Sequence, residues 1–197
     1  LLQEPTDDFY TDEELLRWLN IGYSQFCVLS ELLKDVVTIN SIADTHTYNF
    51  PTSLVKIYYV SYDNINLQRK DIHELYALSP NWENAPSGTP TYYLLVQTNK
   101  IRLFPPPDES DKPIRIYGVM EPQPLDLQNN IQPITSPYYD EALINFILYK
   151  AKLKDKSPAE ANQHLAIFTQ YVQHCKSEGR KQEKNDKLYS FFPAVFK

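Results

Sequence analysis

The chain has 197 residues, room for one domain or for one domain with a subdomain inserted in it. Its 42% hydrophobic and 22% charged residues are ordinary for a soluble globular protein, and a formal net charge of −6 argues against a generic nucleic-acid-binding domain, which needs a basic stripe. Two cysteines are too few for a disulfide-built fold, and no apolar run approaches the roughly 20 residues of a membrane span.

The first helix is expected over residues 11–35. Thr11-Asp12-Glu13-Glu14 reads as a capping box, in which the Thr hydroxyl takes an exposed backbone N–H and Glu14 reaches back. Leu15, Leu19, Gly22, Phe26, Leu29 and Leu33 follow at helical spacing, and Trp18 widens the stripe. Gly22 costs about 1 kcal/mol against Ala inside a helix, and it would let a second helix come close. After Asp35 the pattern turns β-like. Strands are expected over 36–40, 45–50 and 56–62, a turn at 63–66 and a short helix over 71–78 capped by Asp71. Two strands joined at Thr98-Asn99 (92–97 and 100–104) and one over 114–120 complete the β region. Eleven of the fifteen prolines lie between Pro80 and Pro137, so these stretches must run between or beyond strands, and 121–136 reads as an extended connector.

A second helix starts at Ser136-Pro137, with Tyr139, Leu143, Phe146, Lys150 and Leu153 on its face. A third starts at the capping box Ser157-Pro158-Ala159-Glu160 and carries Ala161, Leu165, Phe168, Val172 and Cys175. Only Asp155 and Lys156 separate the two, which predicts an antiparallel hairpin. Residues 176–187 are polar, and the last ten turn apolar again, with Leu188, Tyr189, Phe191, Phe192, Val195 and Phe196 crowded around Pro193. Such a terminus must be buried, on its own bundle or on a partner.

The expected class is α+β, mainly a helical bundle of about three long helices (11–35 and 136–187). A Pro- and Tyr-rich antiparallel β subdomain with its connector (36–135) is inserted in it, and 188–197 form an apolar docking tail. Leu15, Leu19, Phe26, Leu143, Phe146, Leu165, Phe168 and Val172 are its expected core. Fifteen tyrosines suit both half-buried strands and interfaces wet at the edge. Charge is uneven: residues 1–149 hold 9 Lys/Arg against 20 Asp/Glu, and residues 150–187 hold 9 against 5. The basic stretch reads as a solvated helix face.

Little in the chain suggests chemistry. The four glycines (Gly22, Gly88, Gly118, Gly179) are too scattered for a phosphate-cradling loop. His46, His73, His164 and His174 have no metal-ligand spacing, and Cys27 and Cys175 read as small buried hydrophobes. No nucleophile elbow is present. No catalytic residue, metal ligand or cofactor is therefore expected.

One ordered set of motifs is informative. Asn49-Phe50-Pro51-Thr52-Ser53-Leu54 precedes a Tyr-rich strand. Gly88-Thr89-Pro90-Thr91-Tyr92-Tyr93 follows, then Lys100-Ile101-Arg102-Leu103-Phe104-Pro105-Pro106-Pro107-Asp108, the strand at 114–117, and a Pro-rich linker to Tyr138-Tyr139. This order resembles the head-to-tail adaptor (head-completion, connector) proteins of tailed bacteriophages, short-tailed ones in particular. The resemblance implies a virion protein at the head–tail junction, assembled in the host cytoplasm. It would form a ring, most often a dodecamer, beneath the portal protein, extend the DNA channel and offer a platform to tail nozzle or fibre proteins. DNA would pass an acidic lumen without sequence-specific binding, because carboxylates repel phosphate. Leu188, Tyr189, Phe191, Phe192, Val195 and Phe196 are then the candidate residues for binding the portal or a neighbouring subunit. No cofactor and no membrane partner are implied. The rival readings are another tail component (nozzle or fibre-attachment subunit) and a virion-associated hydrolase, for which the residues offer no acid pair or metal triad.

Overall fold

The structure, a computed structural model, describes residues 9–126, 133 and 135–191, with side chains as far as residue 181. In chain order the elements are α1 (Asp12–Ser30), β1 (Lys34–Asn40), β2 (Thr47–Asn49), β3 (Leu54–Tyr62), β4 (Ile65–Arg69), α2 (Ile72–Leu78), β5 (Tyr92–Gln97), β6 (Lys100–Phe104), β7 (Pro113–Met120), α3 (Asp140–Lys154) and α4 (Pro158–Phe191). Short 3-10 turns lie at Trp82–Asn84 and Pro137–Tyr139. The chain divides into two compact units. One gathers the described residues up to Leu32 and from Pro122 onward, and the other is Leu33–Glu121.

The class is α+β, but the expectation of a mainly helical bundle with an antiparallel β insert is overturned. The strands form a seven-stranded sheet in the order β1-β7-β3-β4-β5-β6-β2, with a core of its own. A fourth helix, α2, belongs to that unit. Nor is the sheet purely antiparallel: β4 and β5 pair in parallel at Gln68↔Tyr92 and Arg69↔Tyr93. A parallel pair needs a crossover, and α2 with the Trp82–Asn84 turn supplies it. The strand that sequence periodicity misses is β4. Its alternation, Ile65-Asn66-Leu67-Gln68, is only four residues long and starts inside the turn read at 63–66, and only Leu67 of its five residues is buried. Asp63 and Asn64 both take positive φ (45° and 69°), a two-residue hairpin turn that lets β4 start at Ile65.

The sheet buries Phe50, Val60, Tyr62, Tyr93, Ile101, Ile114 and Ile116 in one cluster. The β3–β7 register shifts between Leu54 and Lys56 and again between Ile57 and Tyr59. Gly118 sits at this irregularity, where a Cβ would lie 2.1 Å from the Lys56 carbonyl oxygen. A bulge and the glycine are therefore two sides of one close backbone approach. Asp71 completes a full capping box with Glu74 at the start of α2.

In the helical unit, Thr11 Oγ1 accepts from Glu14 N–H at 3.2 Å, but the expected capping box is only half formed. The Glu14 carboxylate instead meets Lys154 Nζ at 2.5 Å. Helix α1 ends at Ser30, not Asp35, because Glu31 turns left-handed (φ 59°). Leu32 N–H then bonds Cys27 O and Glu31 N–H bonds Val28 O, a Schellman ending. Helix α3 ends the same way, with Lys156 at φ 59° and Ser157 N–H on Lys152 O. The buried face of α1 is Trp18, Gly22, Tyr23, Phe26, Cys27 and Ser30, rotated from the expected stripe so that Leu29 is 53% exposed.

Phe26, Phe146 and Phe168 meet at the centre, with ring centroids 6.2 Å (Phe26–Phe168) and 5.1 Å (Phe146–Phe168) apart. Leu143 and Val172 are buried, as expected of the core, whereas Leu15, Leu19 and Leu165 are half-buried. Leu153, read as part of the α3 face, is exposed. Gly22 faces Phe146, whose Cδ1 would lie 2.6 Å from an added Cβ, so the close helix approach expected there is real. One contact had no sequence signal. The Asn20 side chain pairs with both backbone groups of Leu125, accepting from its N–H at 2.6 Å and donating to its C=O at 3.1 Å. It thereby pins the start of the connector to α1.

Candidate functional site

Among the described residues, no group of three or more His, Cys, Asp or Glu could hold a metal ion. Cys27 and Cys175 are both buried and free. Burial, and then the neighbouring Cys175, push the Cys27 thiol up to about 12, so it remains a protonated packing group rather than a nucleophile. His164 Nδ1 lies 2.9 Å from Asn145 Oδ1, and Asn145 donates to the Glu141 carbonyl, which makes a structural link between α3 and α4. Burial, and then Arg102, lower the pKa of His46. No described helix is long and apolar enough to cross a membrane. What the described residues offer is surface for contact, in three places.

The first is α4, a helix of 34 residues and roughly 50 Å at 1.5 Å per residue. Among the described side chains it packs as far as Lys176, whose Nζ pairs with Glu31 Oε1 at 3.0 Å and approaches the Leu29 carbonyl oxygen at 3.5 Å. This ammonium caps the end of α1, where the helix dipole is negative. Beyond it, the described polar contacts stay within α4: Ser177 on His174 O and Lys181 on Glu178. A Cβ at Gly179 would meet nothing within 4 Å. The sequence reading ended this helix at residue 187, yet it continues to Phe191. Leu188, Tyr189 and Phe191 therefore lie on its last turn by backbone, while Phe192, Val195 and Phe196 fall outside the described residues.

The second place is aromatic. Tyr138, 62% exposed, has its ring 5.2 Å from Tyr139, 6.1 Å from Tyr171 and 5.9 Å from His174. The Tyr171 hydroxyl donates to Glu141 Oε2 at 2.7 Å, and that bond is the leading cause of its raised pKa. On the sheet unit, Tyr59 and Tyr117 stack across β3 and β7 at 4.1 Å, while Lys34 and Lys56 lie over the exposed Tyr58. The tyrosines thus serve both purposes: Tyr48, Tyr62 and Tyr93 are in the sheet core, and Tyr58, Tyr59, Tyr76 and Tyr138 stay exposed.

The third is a groove beside β5. On the β4 side the ladder of β5 ends at Tyr93, whose carbonyl accepts from Lys70 N–H at 3.0 Å. The chain then leaves into α2, and from Leu94 onward β5 is paired only with β6. Between α2 and this strand lies a groove of about 580 Å³ lined by Arg69, Ile72, Trp82, Leu94, Leu95 and Val96, among others. Trp82 and Leu94 are buried in its floor with Leu75, and Arg102 lies 4.4 Å over the Trp82 ring. Ile72, Leu95 and Val96 stay exposed. The sequence did carry a trace of this groove, since Leu94-Leu95-Val96 is apolar on both faces of a strand.

The sequence matches the family model described as SU10 adaptor protein over residues 1–186. No curated protein matches the chain significantly.

Proposed function

The chain belongs to the SU10 adaptor protein family, and from that premise we propose that it is a structural virion protein of the head-to-tail junction of a tailed phage. In this reading it forms a ring beneath the portal, extends the DNA channel and gives the tail its attachment platform. It does so by contact alone, without catalysis or a cofactor. The observation that carries the reading is the family match, which spans both the helical and the sheet units. The excess of acidic over basic residues before residue 150 supports a lumen that DNA passes without sticking.

The C-terminal segment is the proposed docking element, with Leu188, Tyr189, Phe191, Phe192, Val195 and Phe196 presented at the end of α4 to the portal or to a neighbouring subunit. Aromatic anchors of this kind dominate interface energies. The test is the mass of the purified chain alone and after mixing with portal rings, for the full chain and for a chain ending at Lys187. Co-migration of the full chain with the portal is expected, and its absence would remove the adaptor reading. A shortened chain that folds but no longer binds supports the docking role, one that binds as well as the full chain removes it, and one that fails to fold assigns these residues to the core.

A further inference from the structure

We propose that the groove between α2 and β5 is the acceptor for the apolar C-terminal segment of a second copy of the chain, which adds to β5 as an extended strand. The inference rests on the reading of residues 188–196 as a docking element, and it names the surface that receives them.

The acceptor side follows from the sheet. Leu94–Gln97 is paired with β6 on one edge only, because β4 stops at Arg69 and the chain turns away into α2. An unpaired strand edge beside an apolar trough is the arrangement that takes an added peptide strand: main-chain hydrogen bonds hold it, and side-chain pockets select it. Here Leu94 and Trp82 make an apolar floor, the exposed Ile72, Leu95 and Val96 line it, and Arg69, Lys70, Asp71 and Glu74 border it with charge of both signs. Trp82 Nε1 is buried without an acceptor among the described residues, a donor that this unit leaves unanswered.

The donor side follows from the sequence. Beyond the end of α4, Phe192-Pro193-Ala194-Val195-Phe196 is apolar on both faces of a strand, as is the edge it would join. Pro193 disfavours a helix there, and its missing N–H is tolerated on an outermost strand. Five extended residues span roughly 17 Å, enough to cover the open edge of β5, which is about 13 Å long. Among the described residues the last ion pair of α4 with α1 is at Lys176, and the helix runs on for about four turns before the segment begins.

The experiment uses two full-length chains, one with Val96→Cys and the other with Phe192→Cys, mixed and oxidised with diamide, both free and bound to portal rings. Val96 is half-exposed, and the native cysteines are buried. Thr38→Cys on β1, at the far edge of the sheet, replaces Val96→Cys in the control mixture. A disulfide-linked heterodimer well above the control is expected, reduced about tenfold or more by Ile72→Glu in the groove chain, the size of a lost anchor contact. Ile72 opens α2, where an acid suits the helix dipole, so that variant should fold. No heterodimer above the control in either sample overturns the inference, as does a heterodimer indifferent to Ile72→Glu. A disulfide formed only within a single chain carrying both cysteines overturns the choice of a second copy. Failure to bind portal while the heterodimer persists removes the ring-beneath-portal reading and leaves this one standing.

Discussion

Each unit of this chain owes a close contact to a glycine, but the two glycines meet different things. In the helical unit Gly22 makes room for the Phe146 ring, 2.6 Å from where its Cβ would be, and a side chain can turn away. In the sheet unit Gly118 makes room for the Lys56 carbonyl, 2.1 Å away, held by the bulged β3–β7 ladder. A helix pair packs through adjustable side chains, whereas neighbouring strands are held by their backbones at a fixed spacing. The helical unit should therefore tolerate crowding that the sheet cannot.

Four substitutions sharpen or break this comparison. Each unit holds one tryptophan, Trp18 or Trp82, so fluorescence during denaturant unfolding reads the units separately. The largest effect is expected from Phe168→Ala, which empties the centre of the helical unit and should cost about 3–5 kcal/mol at the Trp18 signal. A loss below about 1 kcal/mol would remove Phe168 from the core. Gly118→Ala should cost about 3 kcal/mol at the Trp82 signal, the upper end for overpacking, and Leu54→Ala in the same chain should not restore it, because the obstacle is backbone. Gly22→Ala should cost about 1 kcal/mol, since overpacking against Phe146 outweighs the gain in helix propensity. Adding Phe146→Leu should bring a double-mutant coupling energy of at least about 0.5 kcal/mol. If Gly22→Ala proves the more damaging of the two glycine changes, the contrast between the units fails. The smallest effect is Lys156→Gly, which relieves the left-handed backbone at the end of α3 and should stabilise the helical unit by about 0.5 kcal/mol, read as a small rise in its unfolding midpoint.

The helices were the most legible part of the chain, and even there the reading had a limit. The spacing of Ala161, Phe168, Val172 and Cys175 located the buried face of α4 well. In α1, apolar residues flank both sides of the Gly22–Phe26 line, so a stripe through Leu19 and Leu29 was as good a reading as one through Tyr23 and Cys27. The structure buries the second. Glu14 likewise suits a capping box by spacing, yet Lys154 competes for its carboxylate across 140 residues of chain. The candidate docking residues were read from composition alone, whereas the β5 groove needed the fold, because its walls come from separate stretches of sequence.

Local chemistry was enough to determine where α1, α2 and α4 start and that Gly22 admits a second helix, whereas Ser136-Pro137 opens a 3-10 turn ahead of α3 and Pro113 is the first residue of β7. Those features depend on residues within a turn or two of one another, and so they are written in short spacings. The strand order, the parallel β4–β5 pair, the face of α1 that is buried and the open edge of β5 were decided only by tertiary structure. Each depends on which distant segment arrives alongside. That choice is set by the summed burial and backbone pairing of the whole sheet or bundle, to which any single stretch of sequence contributes only a part.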